Sequence, residues 1–277
     1  SDKKQRLSYV DVNSRKVTLV DQSNIWEFNA FSWSPDSRWI TYAKPQRNGM
    51  NMIYVYHTES AESFPVTEGW YDAGEPVFSA DGKYLFFTSE RDFNPIYSAT
   101  EWNHAYQDMS RIYLVTLLKE TPSPFAPKND EVAVQSDAAT AGDKDKKAAD
   151  SPENDKLVRI DREGIQQRVV ALPVENSNYR NLTSVGSKLY YVEMSMKDWK
   201  STLRLFDLDK QEAKEIGAFG GYEISADGRK MLLGSGGKYG IIDLPSGPAK
   251  LDKTIDLSDM KVMVNKKEEW KQIYFES

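Results

Sequence analysis

Apolar positions along this chain fall into short runs, each introduced by the same polar phrase. Trp33-Ser34-Pro35-Asp36-Ser37, Phe78-Ser79-Ala80-Asp81-Gly82 and Ile224-Ser225-Ala226-Asp227-Gly228 are three copies, followed by Trp39 to Ala43, Tyr84 to Thr88 and Met231 to Leu233. A worn fourth copy, Thr183-Ser184-Val185-Gly186-Ser187, precedes Leu189-Tyr190-Tyr191-Val192. The pattern predicts a strand, a tight turn and a second strand, stamped out repeatedly. The runs do not alternate, which marks strands buried on both faces. Asp-Gly is a hairpin signal because a type I′ turn needs positive φ at both central residues, and the Asp carboxylate can accept nearby backbone N–H groups. Ser37 replaces Gly in the first copy, so that turn is strained or of another type.

A third strand follows each pair. Tyr9-Val10-Asp11-Val12, Leu205-Phe206-Asp207-Leu208 and Ile241-Ile242-Asp243-Leu244 carry an Asp before a polar turn, whereas Met52 to Tyr56 and Arg111 to Val115 lack it. A weaker, more polar fourth strand closes the unit at Lys16 to Val20, Ser63 to Thr67, Gln167 to Ala171 and Ala213 to Ile216. Apolar inner strands and a polar outer one are the radial gradient of a propeller blade. Asp36 to Asp81 spans 45 residues and Gly186 to Asp227 spans 41, the period of four-stranded blades. A generic β-sandwich would not repeat one two-strand phrase at a fixed period.

Residues 5–21 read as the outer half of a blade, and one ordinary blade follows to Thr67. The next, from Tyr71, is interrupted at Arg91 to Gln107 and again over 121–156, where the composition predicts a disordered insertion. Order resumes at Leu157. Two regular blades run from Tyr179 to Phe219 and from Gly220 to about Asp256. The reading is all-β, a β-propeller occupying 1–259 with about four and a half four-stranded blades, part of a larger seven-bladed propeller. Residues 260–277 read as a linker and the start of a further domain, because Glu268 to Phe275 has amphipathic-helix spacing.

Composition narrows the classes. The chain has 277 residues, 39% of them hydrophobic, and a formal charge of −6 with no clustered basic stripe. That argues against a nucleic-acid partner. No apolar stretch reaches membrane-spanning length, so no membrane partner is expected, and Ser1-Asp2-Lys3-Lys4 is no signal peptide. Cysteine is absent, which excludes disulfides and thiolate chemistry but suits reducing and oxidising compartments alike.

No residue set carries an obvious reaction. The two histidines, His57 and His104, fall in different blades without companions at ligand spacing, so neither a metal nor a cofactor is expected. Nucleophile-elbow and metalloprotease motifs are absent. Gly234-Ser235-Gly236-Gly237 joins two strands and reads as a hairpin, and Asp11, Asp207 and Asp243 read as turn caps. The exposed element that stands out is Arg91 to Gln107. Its Arg91, Phe93, Tyr97, Trp102, His104 and Tyr106 are candidates for substrate or domain docking, or for covering the blade top.

A family resemblance enters at Gly74-Glu75-Pro76-Val77-Phe78-Ser79-Ala80-Asp81-Gly82, Glu90-Arg91-Asp92-Phe93-Asn94-Pro95 and Thr121-Pro122-Ser123-Pro124-Phe125-Ala126-Pro127. In this order they resemble the propeller region of tricorn-type serine proteases. Arg168 to Val174, Asn178 to Leu182 and Glu269 to Tyr274 resemble that family's continuation into its core. The resemblance implies a large, homo-oligomeric peptidase that trims oligopeptides, with its catalytic residues downstream of Ser277. It implies a non-catalytic role here, in substrate access, gating and docking on that core, and a cytoplasmic address, with a periplasmic one the alternative if a signal peptide lies upstream. The blade phrase alone is also similar to the Tol-system propeller, a stand-alone periplasmic interaction module, and to prolyl oligopeptidases.

Overall fold

The computed structural model describes residues 4–92, 95–97, 104–106, 108–126, 157–197 and 199–276. It opens with an antiparallel ribbon of β1 (Arg6–Val10) and β2 (Val17–Gln22). The first full blade holds β3 (Phe31–Trp33), β4 (Trp39–Pro45), β5 (Asn51–His57) and β6 (Ser63–Pro65) in that order. The second holds β7 (Ala73–Phe78), β8 (Tyr84–Ser89), β11 (Arg111–Thr116) and β12 (Val169–Ala171). Between β8 and β11 the backbone makes a separate hairpin of β9 (Pro95–Tyr97) and β10 (His104–Tyr106), with Tyr97 opposite His104 and Pro95 opposite Tyr106. The third blade is β13 (Asn178–Val185), β14 (Lys188–Met194), β15 (Ser201–Asp207) and β16 (Glu212–Gly217); the last is β17 (Gly221–Ile224), β18 (Lys230–Ser235) and β19 (Lys238–Asp243). First strands of successive blades are neighbours, β3 beside β7, β7 beside β13 and β13 beside β17. This is a partial β-propeller.

The unbroken apolar runs have a direct explanation. Each middle strand feeds two apolar layers at once. On β8, Leu85 and Phe87 enter the layer shared with the first blade, while Phe86 enters the layer shared with the third. Tyr113 and Val115 on β11 repeat the split against Ile112 and Leu114. On β14, Leu189 and Tyr191 face the second blade and Tyr190 and Val192 face the last. A fully buried side chain of this size contributes about 1.5–3 kcal/mol, so each interface between blades is strongly cohesive. The last blade departs from the expected pattern. Met231 and Leu233 are buried against the third blade, but Leu232 is half-buried and Ile241 is 59% exposed on the other face. Its outer position holds no regular strand. Instead Ile255 N–H donates to Tyr239 O (2.7 Å), and Leu251 packs into the third layer beside Gly240.

The repeated phrase is a hydrogen-bonded device, and its turn differs from the type I′ expected. In the Ser79 copy, Gly82 N–H closes a turn onto Ser79 O (2.9 Å) and only Gly82 has positive φ, +69°. Ser79 Oγ donates to Asp81 Oδ1 (2.6 Å) and accepts from Tyr84 N (2.9 Å), while Asp81 Oδ1 accepts from Lys83 N (3.1 Å). Ser34 with Asp36 and Ser225 with Asp227 make the same bonds. Ser37 takes the left-handed place of Gly, at φ +59°. The type I′ geometry sits elsewhere, at Gly236-Gly237, both at positive φ between paired Ser235 and Lys238. That Gly-rich stretch is a plain hairpin, as read from the sequence.

The insertion in the second blade is tied down at both ends. Among residues 121–126, Phe125 packs edge-on against Phe206 (6.0 Å) and Pro124 O accepts from Gln211 Nε2 (2.6 Å). The body of that insertion, 127–156, lies outside the described residues. On its return, Val158 N–H donates to Asp36 Oδ2 (2.8 Å) and Val158 O accepts from Trp39 Nε1 (3.0 Å). Arg168 then clamps the base, donating to Thr116 O, Leu117 O, Asp161 O and Glu163 O. Residues 260–277 contribute α1 (Lys266–Glu276), started by Asn265 and exposed along its whole length.

Candidate functional site

In an up-and-down blade, the connections from second to third strand share one end with those leading to the next blade. Among the described residues, that end of the molecule carries 23–30, 46–50, 66–72, 90–92, 95–97, 104–106, 108–110, 172–177, 195–197, 199–200, 218–220 and 236–237. Trp26, Trp70 and Trp199 all stand on it, 64%, 78% and 69% exposed.

Of the docking candidates read from the sequence, Arg91 has a described environment. Its guanidinium lies 5.3 Å from the Tyr113 ring, 5.7 Å from Tyr71 and 5.8 Å from Phe87, a cation–π arrangement within its own blade. Next to it, Asp92 Oδ2 accepts from Tyr113 Oη (2.9 Å) and pairs with Arg111 Nε (3.2 Å). Burial first, and then that Asp92 bond, push the Tyr113 phenol above its ordinary range. Phe93 and Trp102 lie outside the described residues. Tyr97, His104 and Tyr106 are placed as backbone in β9 and β10, with side chains outside the description.

The remaining polar candidates have local roles. His57 Nδ1 meets Ser60 Oγ (3.2 Å) and its ring sits 4.5 Å from Trp39. Asp11 caps its turn through Ser14 N (2.6 Å) and Asp207 through Lys210 N (3.2 Å). Asp243 instead accepts from Lys230 Nζ (2.6 Å) on the neighbouring strand. Among the described residues no three His, Cys, Asp or Glu side chains converge as a metal set.

The innermost strands hold residues that periodicity does not reveal. β7 is bulged between Gly74 and Val77, and β13 between Arg180 and Thr183. Each bulge places a non-glycine residue in the left-handed region, Glu75 at φ +50° and Asn181 at +55°, a strained conformation that the surroundings must enforce. Glu75 Oε2 accepts from Asn181 N (2.8 Å); Asn181 Nδ2 donates to Tyr222 O (2.9 Å) and Asn181 O accepts from Tyr222 Oη (2.5 Å). Three successive inner strands are thus laced together by side chains. The one local signal was Glu75 itself, set between Gly74 and Pro76, residues typical of a bulge.

Two clefts open beside this lacing. One, of about 710 Å³, lies by the last blade and is walled by Gly220, Gly221, Gly236, Tyr222 and Tyr239. The other, of about 510 Å³, lies between the first two blades and is lined by Trp26, Glu27, Asn51, Gly74, Glu75 and Thr88, among others. Neither brings together a nucleophile, a base and an orienting group.

Residues 1–245 match the family of the tricorn protease second beta propeller domain. The chain belongs to that family. A tricorn protease homolog 1 of Streptomyces coelicolor is 26% identical over 291 residues, covering 98% of this chain and 27% of the relative. The crystal structure of the tricorn protease superposes with a TM-score of 0.75 at 20% identity, over 99% of this chain and 26% of that one. A crystal structure of TolB from Acinetobacter baumannii superposes with a TM-score of 0.52 at 16% identity, covering 87% of this chain and 47% of that one. This tricorn propeller chain thus spans about a quarter of the tricorn relatives it resembles. Among its described residues, no helix is long and apolar enough to cross a membrane.

Proposed function

We propose that this chain is the non-catalytic second propeller of a tricorn-like serine peptidase that degrades oligopeptides. It admits substrates along its inner strands and docks on a catalytic core that follows it. The observation that carries the reading is the match to the tricorn second propeller over residues 1–245. The laced inner strands with a cleft at either side support an access role, because they set ligand-sized space beside an inner wall bonded strand to strand. Docking is supported by Trp70 and Trp199 on one face, aromatic residues being favoured at interfaces. Arg91, Phe93, Tyr97, Trp102, His104 and Tyr106 fall between β8 and β11 in the sequence, and on this reading we assign them to that docking surface.

On this reading residues 1–259 form the propeller segment of a seven-bladed ring, with 121–156 a disordered insertion. Residues 260–277 are the linker and start of the core, consistent with the exposed α1. The parent protein is a cytoplasmic homo-oligomer. The test is hydrolysis of fluorogenic oligopeptides by this chain beside a longer chain carrying the core. Activity confined to the longer chain is expected; activity of this chain alone would overturn the reading. The alternative, a stand-alone interaction module resembling TolB, draws on the TolB superposition. It requires that the longer chain be inactive as well.

A further inference from the structure

The cleft between the first two blades has a one-sided chemistry. Its lining contains two carboxylates, Glu27 and Glu75, and no Lys, Arg or His. Neither carboxylate has a salt-bridge partner among the described residues, and the nearby Lys44 is held by both oxygens of Asp21 (2.8 Å each). The Glu75 backbone is fixed in its bulge and one of its oxygens is bonded to Asn181 N, so its carboxylate is positioned rather than freely rotating. Asn51 in the same wall is pinned to Asp72 (2.9 Å).

A second observation points to a ligand. Thr88 is 7% exposed, lines this cleft, and its hydroxyl has no hydrogen-bond partner among the described residues. It stays uncovered because its cross-strand neighbour is Gly74, where a Cβ would stand 3.4 Å from Thr88 Oγ1. A hydroxyl on the cleft wall that no neighbouring side chain engages is open to accept from a ligand. Trp26 adds an exposed indole to the wall. Carboxylates, a hydroxyl acceptor and an indole face, with no competing cation, are the partners of an ammonium group.

We propose that this cleft is a recognition site for an ammonium group, which on the access reading above belongs to a peptide, at its amino terminus or a lysine side chain. Glu75 and Glu27 supply the charge, Thr88 Oγ1 accepts one N–H, and Trp26 covers the apolar carbons beside it. The site lies next to the inner strands, where it holds the peptide's cationic end.

The test is 19F NMR of the full chain labelled with fluorotryptophan, the Trp26 signal being assigned by Trp26→Phe. The probe is n-butylammonium with n-butanol as its neutral match. Butylammonium is expected to shift the Trp26 signal with an affinity about tenfold above butanol. That preference should vanish in Glu75→Gln with Glu27→Gln and shrink in Thr88→Val. Glu75→Gln keeps an oxygen for Asn181 N, so it preserves the fold, and unchanged chemical shifts of the other tryptophans verify this. Equal response to the two probes, or a preference that survives the double substitution, overturns the site.

Peptides then separate the sources. Free-amino tetra-alanine amide binding better than its acetylated form assigns the amino terminus, whereas acetyl-Ala-Lys-Ala-Ala amide binding better than acetyl-tetra-alanine amide assigns the side chain. If butylammonium binds as expected and no peptide does, the ammonium site stands and the peptide-access reading falls.

Discussion

Ser79→Ala and Ser225→Ala form a matched pair that tests what gives the repeated phrase its stabilising effect. Both serines bond the Asp two residues on (2.6 Å) and accept the N–H five residues on (2.9 Å). Their surroundings differ: Ser79 is 2% exposed and Ser225 lies at the surface. Ser79 Oγ also accepts from Lys83 N (3.1 Å). Removing it deletes three hydrogen bonds and orphans Tyr84 N–H where water has little access. At about 1 kcal/mol for each of the bonds to Asp81 and Lys83 plus about 1–3 kcal/mol for the unsatisfied Tyr84 donor, the loss is about 3–5 kcal/mol. At Ser225 water replaces the hydroxyl, and the loss is about 0.5–1 kcal/mol. Urea unfolding of both variants beside the parent chain measures the difference; for a chain of this size each kcal/mol also lowers the melting midpoint by about 2–4 °C. Equal losses would refute the reasoning, since the phrase would then act through turn geometry alone.

Gly82→Ala should destabilise by about 1–3 kcal/mol, because Gly82 has φ +69° and its Cβ would stand 2.7 Å from Val158 Cγ2. Gly49→Ala, at φ +83° in open space, should lose only about 1 kcal/mol, and urea midpoints compare the two. Arg168→Ala removes the donors bound to four carbonyls and should speed amide exchange of 157–168 while leaving the third blade protected. At high pH, burial holds the phenols of Tyr42, Tyr113, Tyr179, Tyr191 and Tyr222 above their ordinary range. In the unfolded chain they ionise near about pH 10, so the folded state keeps its protons longer and stability falls as pH rises past that point. Tyrosinate absorbance at these groups should therefore appear together with loss of near-ultraviolet circular dichroism. Ionisation of all 15 tyrosines with the dichroism intact would contradict it.

Much of the architecture was legible because it is written in contiguous residues. The Ser and Asp of each phrase close its turn through bonds that span at most five positions, and the runs at β4, β8 and β14 are apolar because successive side chains enter two different layers. The type I′ expectation missed because serine and aspartate side chains, rather than two left-handed residues, close these turns. The last blade misled for another reason. Leu232 continues the apolar run, yet no neighbouring sheet covers its face among the described residues, so sequence hydrophobicity there reports a surface without showing what meets it. The docking candidates of 91–107 were chosen for aromatic content, and Arg91 proves to be engaged by the aromatic rings of its own blade.

The sequence by itself determined the blade, its order of strands, its double-faced burial and, through the tricorn-like segments, the family. All of these depend on local turn chemistry, unbroken apolar runs and contiguous segments, which neighbouring positions encode. The tertiary structure alone decided the rest. Glu75 meets Asn181 across 106 positions, and Asp36 meets Val158 across 122. The ammonium-type cleft joins Trp26, Glu75 and Thr88 from three separate elements. No local pattern marks such pairs, because stacking blades brings together residues whose partners are chosen by the packing of whole sheets rather than by the chain around them.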